Sequence, residues 1–222
     1  MFKVQSYLVN VMREFLVQKD FIEIHSPKLI ATASESGSDV FKVDYFDTNA
    51  YLAQSPQFYK QMAIASGLER IFETGPVFRA EKSHTNKHAT EFSGFDLEFT
   101  NINGVEDVMN MEAELLRYAI KKTKEKYGEE IKNVFGIDLV VPTLPFPIIK
   151  LNDLYDVLAS KYNYIVPEEE KGDLPTEGEK LCLHLAKEKY NHEFLFVTDF
   201  SKEKRAFYHK RIDNVPQGYD LI

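Results

Sequence analysis

The run Val77–Phe99, VFRAEKSHTNKHATEFSGFDLEF, sets an arginine, glutamates, two histidines, an aspartate and phenylalanines in an order that ordinary surface strands do not have. It lies across two strand-like runs, RIFETGPVFRAEK from Arg70 and TEFSGFDLEFTNI from Thr90, which SHTNKHA joins. Side chains alternate faces along a strand. Arg79 and Glu81 therefore share one face of the first strand. On the second strand Phe92, Gly94, Asp96 and Glu98 share a face, and Phe95, Leu97 and Phe99 share the other. The all-apolar face must turn to a core. The opposite face then offers forked guanidinium donors suited to phosphate oxygens, an aromatic platform for a flat ring, and a glycine that leaves open space beside it. That set describes a floor for a nucleotide, with its ring on Phe92 and a phosphate on Arg79. Periodicity alone is equally compatible with a solvated sheet face carrying scattered ion pairs.

Two histidines in the connecting segment admit further readings. His84 and His88 stand four apart, a metal-ligand spacing only on a helix, and the segment reads as a loop without an HExxH pattern. Solvent-exposed loop histidines are the plain alternative. A third role, contact with the outer phosphates of a nucleotide, suits His88 at the loop's end.

Outward from this run, the 222-residue length fits one good-sized domain with room for a small appendage. The formal net charge of −8 argues against a protein that coats nucleic acid without selectivity, which needs excess Lys and Arg, but leaves room for a local basic site. The single cysteine, Cys182, permits no intrachain disulfide and fits a reducing compartment. In KLCLHLAKEKY it reads as a small core residue rather than a nucleophile. No stretch approaches the roughly 20 apolar residues of a membrane span, and the N-terminus lacks the unbroken apolar centre of a signal peptide. The expectation is a cytoplasmic protein without membrane contact.

The remaining elements follow from spacing. Val4, Tyr7, Leu8, Val11, Met12, Phe15 and Leu16 form one helical stripe. Phe21–His25 reads as a short strand ended by Pro27, and ATASESGSD as a loop. VFKVDYF and AYLAQ read as strands with a turn at DTN. Ser55 and Pro56 mark a helix start, as N-cap and first helical residue. VEDVMNMEAELLRYAIKKTKEKYG predicts a long helix, acidic early and basic late, that Gly128 stops. PIIKLNDLYDVLASKY predicts a strand edge and a helix, and EEEKGDLP a charged loop. Thr176 and Glu179 predict a capping box for the helix that follows, and FLFVTDF a buried strand. Strands and helices mix without a regular βαβ beat, so the fold class is α+β with a mainly antiparallel sheet flanked by helices.

A second cluster lies in AQSPQFYKQMAIAS. Gln57 and Lys60, three apart, share a helix face near an N-terminus that favours anions. They suit a small carboxylate. A lysine snorkelling along the surface is the alternative.

FRAEKSHTNKHATEFSGFDLEF resembles motif 2 of class II aminoacyl-tRNA synthetases, whose pattern is an Arg-x-Glu strand, a loop and a Phe-x-x-x-Asp strand. FLVQKDFIEIHSPKL resembles motif 1, a helix and a strand ending in proline. SPKLIATASESGSDVFKVDYF followed by YLAQSPQFYKQM is similar to the aspartyl enzymes of archaeal and eukaryotic type, with asparaginyl enzymes as nearest relatives. The resemblance is dense from about Phe2 to Ile102 and looser through AFYHKRIDNVPQGYDLI. It implies a class II catalytic fold over 1–222, with motif 1 at about 2–29 and motif 2 at about 71–99. On this resemblance the anticodon-binding domain and motif 3 are expected to be absent from residues 1–222. It further implies ligation of aspartate to tRNA(Asp) through an adenylate made from ATP.

Carried over, Arg79 binds and stabilises the α-phosphate, Phe92 stacks on adenine, Glu81 contacts the adenosine and His88 the terminal phosphate. Glu35 and Gln57 hold the substrate ammonium, Lys60 pairs with its side-chain carboxylate, and Ser34–Gly37 close over the amino acid. Ser36 stands where the family usually has a glycine. No metal ligand is implied within the chain; Mg2+ would accompany ATP, with its main ligands expected beyond residue 222. A homodimer through the motif 1 region is implied. The resemblance leaves open a truncated paralogue that binds nucleotide or amino acid or only dimerises, a related asparagine synthetase, and an asparaginyl enzyme.

Overall fold

The computed structural model describes residues 1–33, 40–80 and 89–222. Glu35 and the loop around it, and Glu81, His84 and His88, lie outside the described residues. The chain divides into two compact units, one of Leu16–Asn101 and one of Met1–Phe15 with Ile102–Ile222. The α+β class expected from the sequence is what the chain adopts.

Helix α1 (Phe2–Gln18) follows the predicted stripe, with Val11, Phe15 and Leu16 buried. It ends without glycine. Asp20 takes a positive φ of 64°, Phe21 N–H donates to Leu16 O at 3.0 Å and Asp20 N–H to Val17 O at 3.1 Å. These are the paired bonds of a Schellman stop, and buried Phe21 and Leu16 supply its apolar contact. The chain then enters β1 (Ile22–Glu23).

In the Leu16–Asn101 unit, β2 (Leu29–Ile30), β3 (Lys42–Tyr45) and β4 (Thr48–Leu52) form a sheet in the order β2-β4-β3. The β3–β4 turn is Phe46–Asp47 rather than DTN; Phe46 takes the left-handed backbone at φ 51°, and Thr48 and Asn49 are already paired in β4. Helix α2 (Gln57–Ala65) begins one residue later than predicted, with Pro56 at the cap. Ser55 Oγ still accepts the Gln57 N–H at 3.3 Å. The second sheet joins β1 in parallel to β5 (Arg70–Phe78), and β5 antiparallel to β6 (Glu91–Phe99). Its apolar face closes on rings. Phe72 stacks on Phe95 at 5.8 Å and Phe21 meets Phe99 edge-on at 5.7 Å.

In the other unit, α3 runs from Val105 to Phe135. Gly128 does not stop it. The stripe of Met109, Ala113, Ala119 and Thr123 continues to buried Ile131, and Tyr127 packs against Tyr7 with ring centroids 5.5 Å apart. This contact offsets the cost of about 1 kcal/mol that an interior glycine carries relative to alanine. The helix ends at Gly136, whose φ of 71° and N–H bond to Lys132 O form a left-handed cap.

Next come β7 (Ile148–Lys150), α4 (Leu151–Tyr162), α5 (Thr176–Tyr190), β8 (Phe196–Thr198), β9 (Arg211–Ile212), β10 (Val215–Pro216) and β11 (Tyr219–Leu221). Strand β8 pairs in parallel with β7 and antiparallel with β11. The charged segment contains a single 3-10 turn, Glu168–Glu170. The capping box does not form. Pro175 occupies the cap, and Glu179 N–H donates to Pro175 O at 2.9 Å, placing Thr176 inside the first turn. Leu154, Leu158, Cys182, Leu185 and Val197 fill the core between helices and sheet. Cys182 is fully buried, and burial pushes its thiol up to about 12, so it is a packing residue as expected.

The two α3 glycines should respond to alanine in opposite directions. A Cβ at Gly128 would meet only the flexible Lys124 side chain, Cγ at 3.3 Å, so Gly128→Ala should raise stability by roughly 0.5–1 kcal/mol. Gly136→Ala has open space but strained backbone and should lower stability by about 1 kcal/mol. Urea midpoints read both; equal signs would contradict the placement of the helix end.

Candidate active site

The nine-residue strands β5 and β6 pair over their whole length, Arg70↔Phe99 through Phe78↔Glu91. Arg79 lies one residue past β5, and its N–H continues the ladder to Thr90 O at 3.0 Å. In this register Ile71, Glu73, Gly75, Val77 and Arg79 share a face with Phe92, Gly94, Asp96 and Glu98. The expected platform therefore exists. The Arg79 guanidinium carbon lies 5.5 Å from the centre of the Phe92 ring, close enough for a cation–π contact. Arg79 Nε reaches the carbonyl of fully buried Gln54 at 3.5 Å.

Between the strands, Gly75 faces Gly94. A Cβ on Gly94 would meet nothing closer than Val77 Cγ2 at 3.9 Å, so the missing side chains leave a furrow beside the ring. The furrow is a cavity of about 130 Å³ bounded by Arg79 and Phe92, by Gly75 and Gly94, and by Lys28 and Asp96. Along the strand, Arg79 and Gly75 are four residues apart, about 13 Å at the usual rise. The furrow thus has an arginine-and-aromatic end and a second end of mixed charge.

A solvated face with scattered ion pairs does not describe this side of the sheet. Glu73 is 3% exposed. Its Oε1 accepts Lys28 Nζ at 2.5 Å and the Ser26 N–H at 3.1 Å, while Oε2 is buried without a hydrogen-bond partner.

Lys60 is likewise not a snorkelling surface lysine. It is 3% exposed, and its Nζ lies 2.5 Å from Asp96 Oδ1 and 3.2 Å from Glu98 Oε2. A buried cation needs such partners, since leaving water costs several kcal/mol per ion. Helix α2 brings Lys60 against Asp96 and Glu98, and it is not among the residues that line the furrow. Gln57, half-buried in the first turn of α2, is also outside that boundary.

Sequence reasoning brought Arg79, Phe92, Gly94 and Asp96 together correctly and missed Lys28, Glu73 and Gly75. Glu73 and Gly75 stand at even spacing from Arg79, so the same period-two argument reaches them once the strand is extended. Lys28 comes from another segment, and no local pattern marks it. Among the described residues no three His, Cys, Asp or Glu side chains gather to hold a metal ion, and no helix is long and apolar enough to cross a membrane.

Residues 1–221 match the family model described as tRNA synthetases class II (D, K and N). The chain is 40% identical over its full length to an aspartate–tRNA(Asp/Asn) ligase of Aeropyrum pernix, of which it covers 50%. It is 41% identical to the cytoplasmic aspartate–tRNA ligase of Homo sapiens, with 93% of this chain and 41% of that protein covered. In three dimensions it is similar to the asparaginyl-tRNA synthetase of Pyrococcus horikoshii complexed with asparaginyl-adenylate, with TM-score 0.85 and 32% identity over 99% of this chain and 50% of that one. The chain spans about half the length, or less, of these relatives. With residues 1–221 matched, the chain belongs to the class II aminoacyl-tRNA synthetases of the aspartate, lysine and asparagine group.

Proposed function

We propose that this chain is the catalytic core of an aspartate–tRNA ligase. A carboxylate oxygen of aspartate attacks the α-phosphorus of ATP, and pyrophosphate leaves. A terminal ribose hydroxyl of tRNA(Asp) then attacks the acyl carbon of the adenylate, and AMP leaves. The observation that carries the reading is Arg79 set over Phe92 at one end of the furrow.

Phe92 offers its face to adenine. Arg79 meets the α-phosphate and the charge that builds on it, a preorganised electrostatic role that needs no covalent enzyme intermediate. On this reading Glu81 contacts the adenosine and His88 the terminal phosphate, and Glu35 and Gln57 hold the amino-acid ammonium. Lys60, paired with Asp96, supplies the positive charge that favours a carboxylate over an amide. Mg2+ enters only as the counter-ion that ATP brings. Aspartate is preferred as substrate because the proteins named above at about 40% identity are described as aspartate ligases. The likeness to an asparaginyl enzyme at 32% identity supports the alternative that asparagine is activated instead. Amino-acid-dependent ATP–pyrophosphate exchange by the full-length protein decides between them. Exchange with asparagine but not aspartate overturns the choice, and exchange with neither overturns the activity.

We place the protein in the cytoplasm on the same reading, and as a homodimer through the motif 1 region. Val17, Ile22 and Leu29 are apolar and 60%, 50% and 49% exposed there, which supports a covering surface. Sedimentation at micromolar concentration should give a dimer that Ile22→Asp converts to a monomer. A monomeric wild type would refute this interface.

Arg79→Ala should weaken ATP about 10- to 100-fold in calorimetry, the loss of a charge-assisted contact, and Phe92→Ala should weaken it by roughly 1–3 kcal/mol of stacking. ATP affinity unchanged in both variants would refute the placement. Lys60→Met should raise the KM for aspartate more than the KM for ATP; equal loss of both would count against a role in reading the side chain.

A further inference from the structure

The furrow's second end holds a cation that no resemblance assigned. Lys28 follows Pro27, and its carbonyl accepts the Ala53 N–H at 2.9 Å, fixing the backbone at that point. From there the side chain crosses to Glu73 Oε1 at 2.5 Å and Ser26 Oγ at 3.1 Å. It stays 24% exposed while its carboxylate partner is 3% exposed. The ammonium therefore has one side tied to a buried anchor and another open to the furrow. Lys28 lies over Gly75, where a Cβ would come within ordinary contact of its Cε at 3.6 Å and its Nζ at 3.8 Å.

Lys60 and Lys28 divide the positive charge at this end differently. The Lys60 ammonium lies between two carboxylates and outside the furrow's boundary. Lys28 is among the residues lining the furrow, and Glu73, whose carboxylate holds it, is the register neighbour of Asp96 on the same face of the sheet. The furrow is thus lined by a cation that, among the described residues, only one carboxylate holds. A second carboxylate on the substrate then has a cation to meet.

We propose that Lys28, held in place by Glu73 and Ser26, is a specificity-determining residue that contacts the side-chain carboxylate of an acidic α-amino acid in the furrow. This rests on the proposed amino-acid activation and deepens it. Glu73 acts through Lys28 and is a positioning residue. Its buried carboxylate keeps the lysine extended over Gly75 instead of folded into solvent.

The test is ATP–pyrophosphate exchange by the full-length protein, with aspartate and with asparagine as the varied substrate. Lys28→Met should raise the KM for aspartate about tenfold or more, the loss of one charge-assisted contact. The KM for ATP should stay within about twofold, because Arg79 and Phe92 lie at the other end. The preference for aspartate over asparagine should fall by a similar factor, since asparagine has no carboxylate to lose a partner. Lys28→Arg should retain most of the preference. Removing the lysine strands a buried carboxylate, which is itself destabilising. The double variant Lys28→Met/Glu73→Gln removes that charge, and it should show the same loss of preference in a protein that melts near the wild type. An unchanged aspartate-to-asparagine ratio in a folded single or double variant overturns the proposal and leaves the activity standing. A wild type that exchanges with neither amino acid overturns the activity, and this assignment with it.

Discussion

The ladder between β5 and β6 is the constraint on which the site depends. Side chains in a strand alternate with a period of two, so a slip of one residue in either strand would move its whole set to the other face. The observed register puts Arg79 and Phe92 on the same side as Gly75, Gly94, Glu73 and Asp96, and puts Phe72, Phe95 and Phe99 against the core. Burial of that apolar face holds the register. At about 25 cal/mol per Å² of apolar surface removed from water, a few phenylalanines outweigh what any one polar contact on the open face contributes. The furrow inherits its geometry from this packing on the other side of the sheet.

Charge on the open face is arranged in tethered pairs. Lys28 with Glu73 and Lys60 with Asp96 and Glu98 keep ions in a poorly solvated place where an isolated one would be costly. These pairs add little stability by themselves compared with apolar groups of the same shape. They hold side chains in defined positions beside a cavity, which a binding site requires before any ligand arrives. The unpartnered Glu73 Oε2 fits a site shaped for position more than for stability.

Local signals and long-range packing disagree at a few places. Gly128 reads as a stop because glycine is the commonest residue just past a helix, yet α3 continues because Tyr127 and Ile131 still find partners. The Thr176–Glu179 spacing matches a capping box, yet Pro175 takes the cap and moves the start by one residue. The β3–β4 turn sits on Phe46 and Asp47, with a phenylalanine in the left-handed backbone that turn rules reserve for glycine or asparagine. In the first two cases a contact distant in sequence, or a neighbouring residue's chemistry, outweighs a preference of about 1 kcal/mol or less.

From its residues alone this sequence determined the α+β class, most of the helices and strands, and the side of the β5–β6 pair on which Arg79, Phe92, Gly94 and Asp96 would meet. Each of these follows from a short-range period, 3.6 in a helix and two in a strand, that the order of apolar residues carries. Only the tertiary structure decided that Lys60 is buried against Asp96 and Glu98, that Lys28 lines the furrow, and that Glu73 anchors it. Lys28 and Glu73 lie on separate segments 45 residues apart, and Lys60 lies 36 residues from Asp96. No periodicity spans such distances, so those contacts exist only once the sheets and α2 have packed.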